Sequence, residues 1–210
     1  MNKNNIKNLI NTATPVIFEI GAADGNDTQE FVRTFSNCDL RMFCFEPEMT
    51  NIDIFKNRKF PSNINLFEGV ISNIDGEVEF NRSRIAPDPN ALRYSGSIKK
   101  PKEHLNEWPQ ILFDEKEKVQ SVTLDSFCRD NGVELIDFIW ADVQGAEEEM
   151  IMGGKHAFDS KVRFLYTEYS DKEYYEGQKN LNYITELLGS DWVLLQDFRT
   201  DALFANKGLG

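Results

Sequence analysis

The chain has few cysteines and histidines and no long apolar run, and each shortage argues against a class of protein. Three cysteines and two histidines occur among 210 residues. Cys38, Cys44 and Cys128 show no C-x-x-C spacing, so we expect neither a disulfide framework nor a zinc site. No run of ~18 apolar residues occurs, and the polar start "MNKNNIKNLINTAT" indicates neither a membrane span nor a secretory leader. We therefore expect a cytoplasmic protein.

Positive charge is scarce as well. The chain has 23 Lys and Arg residues against 35 Asp and Glu residues, a formal net charge of -12. Since nucleic-acid binding depends mainly on Lys and Arg that neutralise phosphates, DNA and RNA are not expected partners. The length allows one full core, so residues 1–210 are predicted to form a single domain, with 1–14 as an N-terminal helix or arm. The sequence leaves the oligomeric state open.

Short apolar runs alternate with segments of helical spacing along most of the chain. Runs that are apolar on successive residues are typical of strands buried on both faces, whereas apolar residues three and four apart indicate helices. The runs occupy residues 16–20, 42–45, 64–67, 136–140, 164–166 and 192–195. This alternation predicts an α/β sheet built from right-handed crossovers, and residues 192–195 with 202–205 are predicted to close it as an antiparallel hairpin.

Residues 82–118 break this alternation. The segment holds four of the seven prolines and keeps neither a helical nor a strand period, so we expect an irregular insertion. Its first part has one acid, Asp88, and an excess of basic residues. These are Arg82, Arg84, Arg93, Lys99, Lys100 and Lys102. Two interpretations stay open: a solvated connector, or a substrate loop that faces an anion such as a phosphate-bearing acceptor.

The stretch "FEIGAADG", residues 18–25, is a predicted strand followed by a glycine turn and a helix. In that arrangement backbone N–H groups and the helix N-terminus face a polar ligand. A dinucleotide-binding loop needs G-x-G-x-x-G. Counting from Gly21, the two later positions that require glycine hold Ala23 and Asn26 instead. The spacing therefore disfavours an NAD-dependent oxidoreductase. Glu46, at the end of the second strand in "FCFEP", can accept hydrogen bonds from both hydroxyls of a ribose.

Seven short motifs follow one another in a fixed order between residues 15 and 206. They read "FEIGAADG", "FCFEP", "GVISNIDGEVEF", "SGSI", "VQSVTLDSFC", "IDFIWADVQGAE" and "FLYTEY". In this order the chain resembles the FkbM family of S-adenosylmethionine-dependent methyltransferases. The resemblance implies the class I methyltransferase fold, a Rossmann-like α/β fold whose seven-stranded, mostly parallel sheet has an antiparallel last strand and helices on both faces. It also implies S-adenosyl-L-methionine as cofactor and O-methylation, often of a sugar hydroxyl.

The resemblance also implies a set of cofactor-binding residues. They are Glu19, Gly21, Ala22, Gly25, Thr28, Glu46, Pro47, Ser72, Asn73, Asp142 and Val143. The loop at 19–25 resembles the part that receives the methionine portion of the cofactor. Glu46 resembles the ribose acid, and the turn at 72–73 resembles the adenine-side contact. Asp142 resembles the acid that faces both the cofactor and the reacting centre, whereas Gln144 stands where the family more often has Glu, so a charged catalytic role is not expected there.

Methyl transfer from a sulfonium to a hydroxyl requires alignment of the reacting atoms and a base for the hydroxyl proton. Asp142 is the first candidate for that base, although it could also simply cap the helix that follows. Glu168 of "YTEY" is the second, because it ends the next strand, where open α/β sheets bind their ligands. These two carboxylates could also hold an oxygen-loving metal, but no dedicated spacing predicts one, and we expect no metal site.

The expected contacts to the acceptor lie in the irregular segment. They are Arg93, Ser95, Ser97, Lys99 and His104. His104 is also a candidate base near neutral pH. The leading hypothesis is an O-methyltransferase that acts on a hydroxyl of a sugar or glycan, a small molecule or part of a larger chain. The alternative keeps the cofactor site without catalysis, as a binding or scaffold subunit of a glycan-assembly complex.

Overall fold

The computed structural model describes residues 1–85 and 93–209 and alternates strands with helices along most of the chain. The helices are α1 Lys3–Ile10, α2 Asn26–Thr34, α3 Met49–Asn57, α4 His104–Glu107, α5 Leu124–Asp130, α6 Glu147–Gly153, α7 Lys155–Ser160 and α8 Leu181–Leu188. The strands are β1 Val16–Ile20, β2 Arg41–Glu46, β3 Ile64–Glu68, β4 Val70–Ile71, β5 Gly76–Ile85, β6 Ile111–Val122, β7 Ile136–Ala141, β8 Val162–Glu168, β9 Trp192–Asp197 and β10 Asp201–Asn206. None of the helices in these described ranges is long and apolar enough to cross a membrane.

Seven of these strands form one large sheet in the order β3-β2-β1-β7-β8-β10-β9. The pairs on either side of β1 are parallel, as are β2 with β3 and β7 with β8. β10 runs antiparallel to both of its neighbours, β8 and β9. The sheet confirms the predicted seven-stranded, mostly parallel arrangement with an antiparallel last strand, and β9 with β10 is the predicted hairpin.

The strand order reverses between β1 and β7, and this reversal positions the site. Open α/β sheets bind their ligands outside the carboxyl ends of the strands at such a switch point. Gly21 directly follows β1, Glu46 ends β2, and Asp142 directly follows β7. Residues from three separate motifs therefore come to lie along one edge of the sheet.

Helices cover both faces of the large sheet, as predicted. On one face Ile6 of α1, Phe31 of α2 and Phe55 of α3 are buried in a common apolar cluster. On the other face Phe127 of α5 and Phe158 of α7 belong to a second cluster. Because successive residues of a strand point to opposite faces, a strand between two such clusters is apolar on every residue. The central strands are therefore mostly apolar, with buried Glu19 in β1 and buried Asp137 in β7 as exceptions.

A second sheet, in the order β4-β6-β5, corrects the two ends of the predicted irregular insertion at 82–118, because residues 82–85 and 111–118 belong to strands. β5 runs into this segment, β6 emerges from it, and the two pair in antiparallel fashion. Charged side chains connect these strands, including the ion pairs of Lys116 with Glu79 and of Arg84 with Asp114. Polar residues on both faces remove the apolar alternation by which a strand is recognised in a sequence. The sequence analysis therefore did not predict β5 and β6 as strands.

Candidate active site

A cleft opens at the carboxyl edge of the large sheet, beside the reversal in strand order. Its empty volume is about 630 Å³, part of which is open to solvent. Predicted site residues that line it are Gly21, Glu46, Pro47, Arg93, Ser97, Asp142 and Val143. Predicted site residues outside its lining are Glu19, Ala22, Gly25, Thr28, Ser72, Asn73, Ser95, Lys99, His104 and Glu168. Gly21, Glu46 and Asp142, which directly follow or end the central strands, thus all line the cleft.

Gly21 is where the three central strand ends meet. The N–H groups of Gly21 and Ala22 both donate to the carbonyl oxygen of Phe45, each at 2.9 Å, and the N–H of Asp142 donates to Ile20 at 2.8 Å. Gly21 has a φ of +93°, and a Cβ built on it would lie 2.0 Å from the carbonyl oxygen of Asp142. Only glycine fits this position, which leaves bare backbone on the cleft wall.

Gly25 has a different role from Gly21. Its φ is +79°, and a Cβ there would meet the rings of Phe55 and Phe60 at 2.8 and 2.9 Å. It precedes α2 as the N-cap residue, without a side-chain capping bond. Gly25 therefore lets the loop turn tightly against α3 and shapes the cleft from behind.

Glu19 and Thr28 lie together behind the same loop. The Thr28 hydroxyl donates to Glu19 Oε2, and Cys44 Sγ lies 3.6 Å from the same oxygen. Glu19 and Thr28 are both fully buried. Burial raises the pKa of Glu19 to about 8. This carboxyl supports the loop from inside, and the buried Ala22 packs in the apolar cluster beneath it.

Glu46 forms one wall of the cleft. Its Oε2 accepts a hydrogen bond from the N–H of Ala23 at 2.8 Å, and its Oε1 accepts from the N–H of Glu48 at 2.9 Å and from Asn51 Nδ2 at 3.3 Å. Burial raises its pKa to about 7. Each carboxylate oxygen has two lone pairs, so Oε2 keeps one acceptor site beyond its bond to Ala23.

The turn at 72–73 lies just outside the cleft lining, next to an apolar part of the cleft wall. Ser72 is buried beneath α6, where a Cβ on Gly153 would stand 1.9 Å from its carbonyl oxygen, and Asn73 is exposed. Val70 and Ile71 of β4 line the cleft instead. These two apolar residues directly precede the turn at 72–73, and the adenine-side contact expected at that turn stays a prediction.

Asp142 and Glu168 form a hydrogen-bonded carboxyl pair, with Asp142 on the cleft lining and Glu168 outside it. Burial raises the pKa of both groups, and the charge of Asp142 adds to the effect on Glu168, whose pKa rises to about 9. Asp201, paired with Glu168 in the β8–β10 register, adds further negative charge. The bond between the two carboxyls lowers the pKa of Asp142 and raises that of Glu168, so Glu168 is the donor in this pair.

Five of the six basic residues expected to face an anion form ion pairs with acids from other parts of the fold. Arg82 and Arg93 both pair with the buried Glu48, and Lys99 pairs with Glu149 at 2.8 Å. The other pairs in this segment include Arg84 with Asp114 and Lys102 with Glu173. Arg93 lines the cleft, but its charge is met by this network. Asp88, the one acid of that stretch, lies outside the described residues. These contacts do not form an anion-facing surface.

The remaining predicted acceptor contacts are dispersed. The Ser97 hydroxyl donates to the carbonyl oxygen of Gln144 at 2.8 Å, and the carbonyl oxygen of Ser95 accepts from the Tyr175 hydroxyl at 2.8 Å. His104 is buried, with its ring centroid 4.7 Å from that of Trp108 and 5.5 Å from that of Tyr175. Burial lowers the pKa of His104. His104 is thus part of an aromatic cluster outside the cleft lining.

Asn51, at the cleft, carried no signal in the sequence analysis. Asn51 donates both to Glu46 and to the carbonyl oxygen of Arg93, which ties the segment at 93–98 to the cleft wall. Tyr94, half exposed, also lines the cleft. In the described ranges 1–85 and 93–209, no group of three or more His, Cys, Asp or Glu is arranged to hold a metal ion.

The family model for the methyltransferase FkbM domain matches residues 19–199. A similar protein is the 2-O-methyltransferase NoeI of Sinorhizobium fredii (strain NBRC 101917 / NGR234). It is 41% identical over 192 residues, which cover 91% of this chain and 78% of that protein.

Solved structures agree on the fold. The crystal structure of methyltransferase FkbM from Methylobacillus flagellatus KT matches with a TM-score of 0.58 at 15% identity, over 92% of this chain. The chain spans 44% of that protein's length. The METTL16 methyltransferase domain matches with a TM-score of 0.51 at 10% identity, over 98% of this chain and 66% of that one. These likenesses confirm the predicted class I methyltransferase fold.

Proposed function

The chain belongs to the FkbM family of methyltransferases, and we propose that it transfers the methyl group of S-adenosyl-L-methionine to a hydroxyl of a sugar or glycan. The family and the relative named as a 2-O-methyltransferase both support an O-methyltransferase enzyme. The observation that carries the proposal is that Gly21, Glu46 and Asp142 share one cleft at the switch point of the sheet.

The cleft fits S-adenosyl-L-methionine by its own geometry. Gly21 leaves bare backbone where a Cβ would meet Asp142. Glu46 keeps a free acceptor site on Oε2 for a ribose hydroxyl. Val70 and Ile71 offer an apolar surface to the adenine ring. When bound, the cofactor supplies a methyl group activated on its sulfonium sulfur.

Asp142 is the proposed base. As the acceptor oxygen gains the methyl group, the O–CH₃ bond would form while the methyl–sulfur bond breaks, with the neutral thioether as the leaving group. The O–H bond would break at the same time, and its proton would pass to Asp142. A positioned base typically contributes about 10²- to 10⁴-fold, and alignment of the reacting groups can supply ~7 to 11 kcal/mol. Asp142 lines the cleft whereas the paired Glu168 lies outside the lining, so we assign the role of base to Asp142.

The proposed acceptor is an uncharged polyhydroxyl compound. In the segment at 93–102, Arg93, Lys99 and Lys102 each form an ion pair with a glutamate. The whole chain has a net charge of -12. A phosphate-bearing acceptor would have to displace these acids and overcome the general repulsion. A neutral sugar hydroxyl meets neither obstacle.

Methyl transfer from isotopically labelled cofactor to a panel of mono- and oligosaccharides tests the proposal, with sugar phosphates as a second panel. Transfer to a neutral sugar that disappears in Asp142→Asn is the expected result. Cofactor binding by calorimetry without transfer to any member of either panel would favour the scaffold alternative. Binding of NAD in place of S-adenosyl-L-methionine would reject both.

A further inference from the structure

Gln144 lies between Asp142 and a loop from a distant part of the chain. Its Nε2 donates to Asp142 Oδ1 at 2.5 Å, and its Oε1 accepts from the Tyr175 hydroxyl at 2.8 Å. The three side chains form a continuous hydrogen-bonded chain that ends on the carboxylate at the cleft. Tyr175 is itself buried, with 2% of its surface exposed.

The backbone holds Gln144 in this place. Its φ is +50°, in the left-handed region that few non-glycine residues adopt. The Ser97 hydroxyl donates to its carbonyl oxygen at 2.8 Å. The next residue, Gly145, has a φ of +87°, and a Cβ on it would lie 3.0 Å from the Tyr175 ring. A left-handed pair packed against an aromatic ring fixes where the Gln144 side chain starts.

The orientation of the Gln144 amide follows from its two neighbours. An ionised carboxylate only accepts hydrogen bonds, so it selects the NH₂ end of the amide. The amide oxygen then faces Tyr175, whose single hydroxyl proton is shared between Gln144 Oε1 and the carbonyl oxygen of Ser95, each at 2.8 Å. If the amide turned over, its oxygen would face Asp142 Oδ1, and two acceptors would stand within hydrogen-bonding distance without a proton between them.

We propose that Gln144, oriented by Tyr175, is a positioning residue that holds Asp142 as the ionised, correctly directed base. The inference rests on the proposed function for the identity of the base. It deepens that function by assigning roles to Gln144, which lines the cleft, and to the buried Tyr175. Loss of the amide donor removes a hydrogen bond that favours the charged form of Asp142.

The titratable groups around Asp142 come from every side. They are Asp27 of α2, Glu147 of α6, Glu168 of β8, Asp201 of β10 and Tyr175 of the loop after β8. All the carboxyls in this group disfavour a charge on Asp142 except Glu168, which donates a hydrogen bond to it. The Gln144 amide is therefore a neutral donor within an acidic environment.

Two variants test this role through the pH dependence of kcat/KM, whose acidic limb reports ionisation of the base in the free enzyme. Gln144→Glu keeps the shape of the side chain but replaces the donor by a carboxyl, and should move that limb to higher pH by about one unit or more. Tyr175→Phe removes one hydroxyl and should move the limb in the same direction by a smaller amount. A purely structural role would lower kcat at all pH values without moving the limb.

Tyr183→Phe is the matched control, because the Tyr183 hydroxyl bonds Glu148 on the exposed surface. Its limb should coincide with that of the wild type. Carboxyl carbon NMR on the cofactor-free protein labelled at aspartate, with Asp142→Asn to identify the signal, follows the same ionisation without any reaction. If the wild type transfers no methyl group, the proposed function fails while the NMR titration still tests Gln144. Unchanged titration of Asp142 in both Gln144→Glu and Tyr175→Phe would overturn the inference.

Discussion

Gly21 and Asp142 follow adjacent parallel strands so closely that a Cβ on Gly21 would stand 2.0 Å from the Asp142 carbonyl oxygen. Real Cβ atoms essentially never approach an oxygen to that distance, so glycine at 21 is a condition for the two strand ends to meet. The contact lies between β1 and β7, where the strand order of the sheet reverses. Open α/β sheets bind their ligands at such a point. The same relationship thus serves the fold and the site.

Gly21→Ala should therefore disable the cofactor cleft. The new methyl group forces the loop or Asp142 to move, and a displacement of 1 Å at a reacting centre can reduce the rate by about 10²-fold. Gly189→Ala is the matched control, since Gly189 has a similar φ of +85° and a Cβ there would meet no atom within 4 Å. Calorimetry with S-adenosyl-L-methionine and thermal unfolding should separate the two variants. Equal cofactor affinity in both would contradict the assigned contact.

Asp142→Asn should reduce kcat by about 10²- to 10⁴-fold, because the amide cannot accept the hydroxyl proton. Its oxygen can still accept from Gln144, so cofactor affinity should change little. Asp159→Asn, at an exposed position of α7, serves as the control for a surface carboxylate. Rate measurements with saturating cofactor provide the comparison. Near wild-type turnover in Asp142→Asn would reject this residue as the base.

The sequence predicts the large sheet because its central strands are buried on both faces and read as apolar runs. It also predicts Gly21, Glu46 and Asp142 at one edge, because each directly follows or ends such a run. The hairpin of β5 and β6 is not recognisable in the same way. Its strands are polar on both faces, and its cross-strand ion pairs, such as Lys116 with Glu79, become visible only when the strands are paired.

Contacts between distant segments account for most of what the sequence could not supply. The basic residues at 82–102 looked unpaired because their partners, Glu48, Glu149 and Glu173, lie elsewhere in the chain. Tyr175 reaches Gln144 from 31 residues away, through a loop with no regular period. Local spacing carries no information about either contact.

Ionic strength should have little effect on the KM for a neutral acceptor. Raising salt from about 0.05 to about 0.5 M screens exposed charges but leaves hydrogen bonds to an uncharged hydroxyl largely intact. Lys102→Met, which removes a cation already paired with Glu173, should likewise leave this KM unchanged. Initial-rate measurements with the sugar identified in the acceptor panel provide the readout. A KM that rises steeply with salt would point to an anionic acceptor.

Glu19 should make the stability of the fold depend on pH. Burial raises its pKa from the ordinary 4.5 to about 8. Between these values the folded chain keeps a proton that the unfolded chain has released, so the free energy of unfolding falls as the pH rises. Glu19's contribution is fully present below the lower value and is lost as the pH passes the upper one. Each unit of pKa difference corresponds to about 1.4 kcal/mol.

Glu19→Gln keeps an oxygen that can accept from the Thr28 hydroxyl but removes the titration. Because Glu46 and Glu147 also have raised pKa values of about 7, the informative quantity is the difference between variant and wild type at each pH. Urea unfolding from about pH 5 to about pH 8 should show this difference changing in favour of Glu19→Gln as the pH rises. Glu186→Gln, on the exposed face of α8, should show a constant difference. If the free energies of unfolding of Glu19→Gln and the wild type changed with pH in parallel, Glu19 would be ionised in the folded chain and would hold no buried proton.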